Sequence, residues 1–264
     1  MQRLIVTADD CGMSEGINQA TYDLHKRGYI SAASVMTNFP GYRHALERFS
    51  DCPELDVGVH LTLTDGNPVD RRGPHHSHLL KDDHSFRDKF SLYLRGLFFS
   101  KDTIRWIRNE LDAQLRRLVD AGVHPQHIST HHHFHSLPIL REIVHELAAV
   151  YQVDWVRGHS FRATISPHAI LPRKQAQSQR YAFFMPDYMT GIQGWISRSP
   201  AEFADRVASL PGTVEIVVHP GLAKDPNFPM SLSYGPAPRY DETKYLIEAL
   251  DLLQNKASLH KPSS

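Results

Sequence analysis

Short apolar runs recur along the 264-residue chain, each followed by a stretch with helical periodicity, and this alternation limits the fold more than any other feature. Leu4-Ile5-Val6-Thr7-Ala8 shows no polar alternation, which is how a strand buried on both faces reads. Ile17, Ala20 and Leu24 then fall at helical spacing and Gly28 stands where a helix-ending glycine would, so residues 14–27 read as a helix. The pattern repeats with a strand at 32–37, a helix at 42–49 and a strand at 56–63. Ile104, Ile107, Leu111, Leu115 and Leu118 form one stripe on a long helix closed by Gly122. A strand at 127–130, a helix marked by Leu140, Ile143, Val144 and Leu147, strands at 153–157 and 214–218, and a last helix at 242–253 complete the series. Parallel neighbours need crossover connections that are usually helical, so the alternation predicts an α/β fold, a barrel-like domain of mostly parallel strands. We read residues 1–264 as a single domain with irregular insertions at about 65–90 and 159–200.

Charge and composition narrow the function classes. Lys plus Arg (29) balances Asp plus Glu (29), so the chain lacks the basic excess of many nucleic-acid and anionic-membrane binders. No apolar run is long enough to span a bilayer, and Met1-Gln2-Arg3 leads into too short a stretch for a signal peptide. Two cysteines, Cys11 and Cys52, are too few for a disulfide framework, which fits a cytoplasmic protein. Serine-hydrolase elbows, P-loops and dinucleotide fingerprints are absent from the sequence. Histidine stands out, with 18 residues.

In a parallel α/β domain ligands bind at the carboxyl ends of the strands. The polar residues at those ends are Asp9 and Asp10, His60, the cluster His131-His132-His133-Phe134-His135, Arg157 and His219. Adjacent carboxylates at a strand end need a compensating cation: a metal ion would supply it, or the pair would cap the following helix. His60 in Gly58-Val59-His60-Leu61-Thr62-Leu63 reads as a ligand or as a satisfied core histidine. Four imidazoles within five residues favour metal binding over a solvated loop, although not all can hold one ion. His219 before Pro220-Gly221 suits a general acid or oxyanion stabiliser. His75, His76, His78 and His84 read as solvated loop residues, and Cys11 beside two acids as packing. Tyr181, Phe183, Phe184, Tyr188 and Trp195 either line a sugar-stacking wall or pack their own loop.

Thr7-Ala8-Asp9-Asp10-Cys11-Gly12, Gly58 to Leu63, Ser129 to His135 and Glu215-Ile216-Val217-Val218-His219-Pro220-Gly221, in this order and spacing, resemble the YdjC-like (ChbG) carbohydrate deacetylases over about residues 1–225. The resemblance implies a distorted (β/α) barrel related to polysaccharide deacetylases and removal of N-acetyl groups from amino-sugar oligosaccharides such as chitooligosaccharides. It implies one divalent metal on Asp10, His60 and His131, with Asp9 as catalytic base and His219 near the reacting carbonyl. Family usage favours Mg, while the ligand types also suit Zn, Mn, Fe or Co. Arg157 is a candidate substrate contact or a rim salt bridge, His133 is a candidate substrate contact, and a homodimer is expected from the family. Two rival readings remain: a two-ion phosphoesterase on a barrel, and a non-enzymatic metal- or carbohydrate-binding protein.

Overall fold

The computed structural model describes residues 2–71, 79–95, 99–158, 171–172, 182–229 and 234–259. Its strands are β1 (Arg3–Cys11), β2 (Ala32–Val35), β3 (Asp56–Leu61), β4 (His127–Thr130), β5 (Trp155–Val156), β6 (Leu171–Pro172), β7 (Tyr188–Gly191) and β8 (Thr213–Val218). They lie in the order β5-β4-β3-β2-β1-β8-β7-β6, and every pairing is parallel except β6 with β7. Seven parallel strands therefore make a curled barrel, in agreement with the expected class. One short segment joins the two edges of its wall: Phe184 pairs with Trp155 of β5, and four residues later the same chain pairs as β7 with β8.

The helices that follow the strands are α1 (Glu15–Lys26), α2 (Tyr42–Phe49), α3 (Lys89–Arg95), α4 (Lys101–Asp120), α5 (Pro138–Val150), α6 (Pro200–Ala208) and α7 (Pro236–Leu259). Strand residues that face outward, such as Val6, Ala8, Val59, Ile128, Val156, Val214 and Ile216, join the helices' apolar stripes in one continuous core. The stripe read on α4 is there, with Ile107, Leu111, Leu115 and Leu118 fully buried. Ser14 caps α1 by accepting from the Ile17 amide, and Gly28 leaves that helix with φ +81°.

Inward-facing residues are largely polar. Ile5, Ala32, Trp155 and Phe184 plug the base of the barrel, and above them stand Thr7, Ser34, His127 and Glu215, then Asp9, His60, Ser129 and Arg157, all buried. A polar interior must satisfy its own hydrogen bonds, and the network that does so carries the site described below.

Several elements escape the sequence reading. The insertion at 159–200 contains the barrel strand β7, whose four residues Tyr-Met-Thr-Gly form no apolar run, and 65–90 contains the start of α3 and a bridge between Leu80 and Phe86. Of the two readings of the aromatic residues, packing is the one seen for three of them: Phe183 and Trp195 lie in the core and Phe184 stacks on Trp155 at the base. Tyr181, His75, His76 and His78 fall outside the described residues, while His84 is exposed in a turn. No helix among the described residues is long and apolar enough to cross a membrane.

Candidate functional site

Strand alternation places Asp9 inward, but it would send its neighbour Asp10 out of the barrel. The β1–β2 register shifts between Ala8 and Cys11, and Asp10 adopts φ +64°. This bulge brings the second carboxylate over the same rim, at a backbone strain that Asp tolerates better than most residues. Ser14 occupies the cap position of α1, so the two acids are not capping that helix.

Asp10 meets two imidazoles. His60 lies inward on β3 and His131 is the first residue after β4, and their strands are parallel neighbours in register. Asp10 Oδ1 is 3.4 Å from His60 Nε2 and 3.1 Å from His131 Nδ1, and the two nitrogens are 3.3 Å apart. Ligand atoms about 2.1 Å from a common ion stand about 3.4 Å apart on a tetrahedral edge, so the triangle has the size an ion requires. Asp10 Oδ1 is buried and has no hydrogen-bond partner among the described residues. Each of the remaining polar atoms is held from outside: Asp10 Oδ2 accepts from Arg239 Nη2 at 2.7 Å, His60 Nδ1 lies 2.7 Å from Ser129 Oγ, and His131 Nε2 lies 3.0 Å from Asp65 Oδ2. One carboxylate and two imidazoles, each clamped through its other atom, fit a divalent ion.

Asp9 is 2% exposed and receives Arg157 through both terminal guanidinium nitrogens, Nη1 to Oδ2 at 2.6 Å and Nη2 to Oδ1 at 2.8 Å. Burial alone would raise its carboxyl, yet Arg157, with His60 and His219, outweighs this and holds it ionised far below the usual carboxylate range. Arg157 Nε binds Glu215 Oε1 at 2.8 Å, and Glu215 also accepts from Thr7. Arg157 is thus fully buried between two carboxylates, the salt-bridge alternative to a substrate contact, and it lies beneath Asp9 rather than at the rim.

His219 follows β8. Its backbone N–H donates to Glu242 Oε2 at 2.7 Å and its Nδ1 lies 3.2 Å from Glu242 Oε1, while the Tyr234 hydroxyl donates to the same carboxylate. Burial disfavours the imidazolium, but Glu242 opposes it and raises the His219 pKa. His132 and His133 both take φ +52°, a consecutive left-handed pair that turns the chain sharply below the rim. His133 Nδ1 is buried with no partner among the described residues, and burial followed by Arg157 lowers its pKa to about 3, so its imidazole is neutral. His132 approaches Asp65 and Thr64, and His135 is buried with its Nδ1 on the Thr130 hydroxyl and its Nε2 3.4 Å from the Gly158 carbonyl oxygen. Cys11 is buried too, its thiol pushed up to about 12 by burial and the nearby acids, as expected of an inert packing residue.

Sequence reasoning missed Asp65, Ser129, Glu215, Arg239 and Glu242. Glu215 carried a signal, a charge inside the apolar run Val214–Val218, whereas Arg239 and Glu242 sit on α7 with nothing local to tie them to Asp10 or His219.

Comparison with known proteins follows the same lines. The model of the YdjC-like protein family matches residues 3–250. A carbohydrate deacetylase from Brevibacillus brevis is 38% identical over 161 residues, 59% of this chain and 61% of that protein. One from Halalkalibacterium halodurans is 33% identical over 152 residues, 57% of this chain and 62% of the relative. The matched stretch spans about three fifths of these curated relatives. An Enterococcus faecalis crystal structure, provisionally described as a cellobiose-phosphate cleavage protein, shares the fold with TM-score 0.77 at 23% identity, covering 97% of this chain and 95% of its own.

Proposed function

The chain belongs to the YdjC-like family, and from that premise we propose that it is a hydrolase that uses one divalent metal ion to remove N-acetyl groups from amino-sugar oligosaccharides. The observation that carries the reading is the triangle of Asp10 Oδ1, His60 Nε2 and His131 Nδ1 beside an ionised Asp9 and a carboxylate-bound His219. The names of the relatives support the substrate class.

Asp10, His60 and His131 would hold the ion, which when bound supplies Lewis acidity toward an amide carbonyl. Asp9, fixed by Arg157, accepts the proton of the attacking water. His219, whose protonated form Glu242 favours, stabilises the developing oxyanion and hands a proton to the departing amine. Water adds to the acyl carbon, the C–N bond breaks, and acetate and a free amino sugar leave. His133, a neutral imidazole facing the same charges, is proposed as the substrate contact.

Acetate release from diacetylchitobiose and longer chitooligosaccharides by metal-stripped protein, with Mg, Mn, Co or Zn restored, tests the reading. Metal-dependent release is the expected outcome; no release with any ion on any of these substrates overturns it. A two-ion phosphoesterase keeps one point in its favour, the cluster Asp65, His131 and His132. Asp65 Oδ2 already accepts from His131 Nε2 at 3.0 Å, so we expect a count of one ion per chain.

A further inference from the structure

An unbroken file of hydrogen-bonded side chains runs from the site to the opposite end of the barrel. His60 Nδ1 lies 2.7 Å from Ser129 Oγ. Ser129 Oγ lies 2.9 Å from Ser34 Oγ, and Ser34 Oγ lies 2.8 Å from His127 Nε2. His127 Nδ1 lies 2.6 Å from Asp56 Oδ1, whose other oxygen accepts from the Trp155 indole at 2.7 Å. His60, Ser34, Ser129 and His127 are buried, while the Asp56 side chain is 28% exposed.

The barrel is built around this file. A Cβ on Gly58 would fall 2.4 Å from the His127 ring, so the glycine opens the space the imidazole fills, and Trp155 stacks on that ring at 4.3 Å. The donor order follows from its lower end. An ionised carboxylate only accepts, so His127 carries its proton on Nδ1 and a neutral ring accepts at Nε2. Ser34 must then donate to His127 and accept from Ser129, and Ser129 must accept from His60 Nδ1–H. Every link points toward Asp56.

We propose that Asp56, His127, Ser34 and Ser129 are positioning residues that hold His60 in its Nδ1–H tautomer and so aim the Nε2 lone pair at the ion site. The proposal rests on reading Asp10, His60 and His131 as a metal centre, and it extends that site through the barrel to a residue on the far side.

The first measurement needs no substitution: long-range 1H–15N spectra of the ion-free wild-type protein, with His60 assigned by comparison with His60→Gln. His60 and His127 are both expected in the Nδ1–H form. A His60 proton on Nε2, or a His127 protonated on both nitrogens, overturns the proposal. The second is Zn2+ affinity by competition with a chromophoric chelator. Ser129→Ala and His127→Phe are expected to weaken it by roughly 10–100-fold, Asp56→Asn in the same direction, and Ser129→Thr, which keeps the hydroxyl, to restore it. Unchanged affinity in folded Ser129→Ala and His127→Phe overturns the relay. Should His60→Gln bind Zn2+ as tightly as the wild type, the metal-centre reading fails, and this inference with it. If Zn2+ binds with the expected tautomer but no acetate is released, the deacetylase reading alone fails.

Discussion

Asp9 and Asp10 are neighbours with the same side chain, and their surroundings divide the work between them. Asp9 keeps both oxygens on Arg157 and is locked as an anion, whereas Asp10 gives one oxygen to Arg239 and leaves the other unpartnered beside two imidazoles. Asp9→Asn should therefore leave Zn2+ affinity within a few-fold of wild type and lower turnover by roughly 10²–10⁴ or more, the range for loss of a general base. Near-normal acetate release would remove Asp9 from that role. His219 owes its raised pKa to Glu242. A proton donor acts below its pKa, so activity falls as pH rises through that value. Glu242→Gln should move this alkaline limb of kcat/KM to lower pH, and an unmoved limb would show that His219 is not the acid.

At the scale of elements, two contacts decide how tightly the strands and helices hold the site. On β3, Gly58 faces the ring and the carbonyl oxygen of His127, each 2.4 Å from where a Cβ would stand. Because the carbonyl belongs to the neighbouring strand, it cannot move aside. Gly58→Ala is expected to cost at least about 1–3 kcal/mol in urea unfolding, the scale of overpacking a filled interior. On α4, Glu110 accepts from the amides of Val69 and Asp70 and from Gln114, tying the chain beyond Asp65 to the helix. Burial pushes the Glu110 carboxyl up to about 7 from 4.5, in spite of those donors. A pKa raised by folding gives a contribution that is fully present below about 4.5 and lost as pH rises through about 7. Glu110→Gln should remove this slope, so that between pH 4 and pH 8 the variant gains up to about 3 kcal/mol relative to wild type. Parallel unfolding curves for the two proteins across that range would exclude the effect.

For the molecule as a whole, an ion held at the triad, as proposed, would tie together the ends of β1, β3 and β4, which lie far apart in the chain. Only the folded barrel assembles these ligands, so binding and stability are linked. Free ion at about 100 times its Kd should add about 2.7 kcal/mol and raise Tm above that of chelator-treated protein. His131→Ala should abolish the increment; a metal-induced rise that survives this substitution would place the ion elsewhere.

The sequence by itself determined the βα alternation, the apolar stripe of α4 and the strand-end positions of Asp9, Asp10, His60, His131 and His219, because these depend on local periodicity and on where an apolar run stops. It also pointed to the family through four motifs in order. Only the tertiary structure decided which atom of each side chain faces the site. The bulge at Asp10, the burial of Arg157 under Asp9, and the partners Asp65, Glu242 and Arg239 arise from segments far apart in sequence. The short strand β7 closes the wall by pairing with β8 rather than by its own composition. Hydrogen bonds across a barrel join side chains of different strands, and which of them meet depends on how the strands pair, which the periodicity of any one segment does not record.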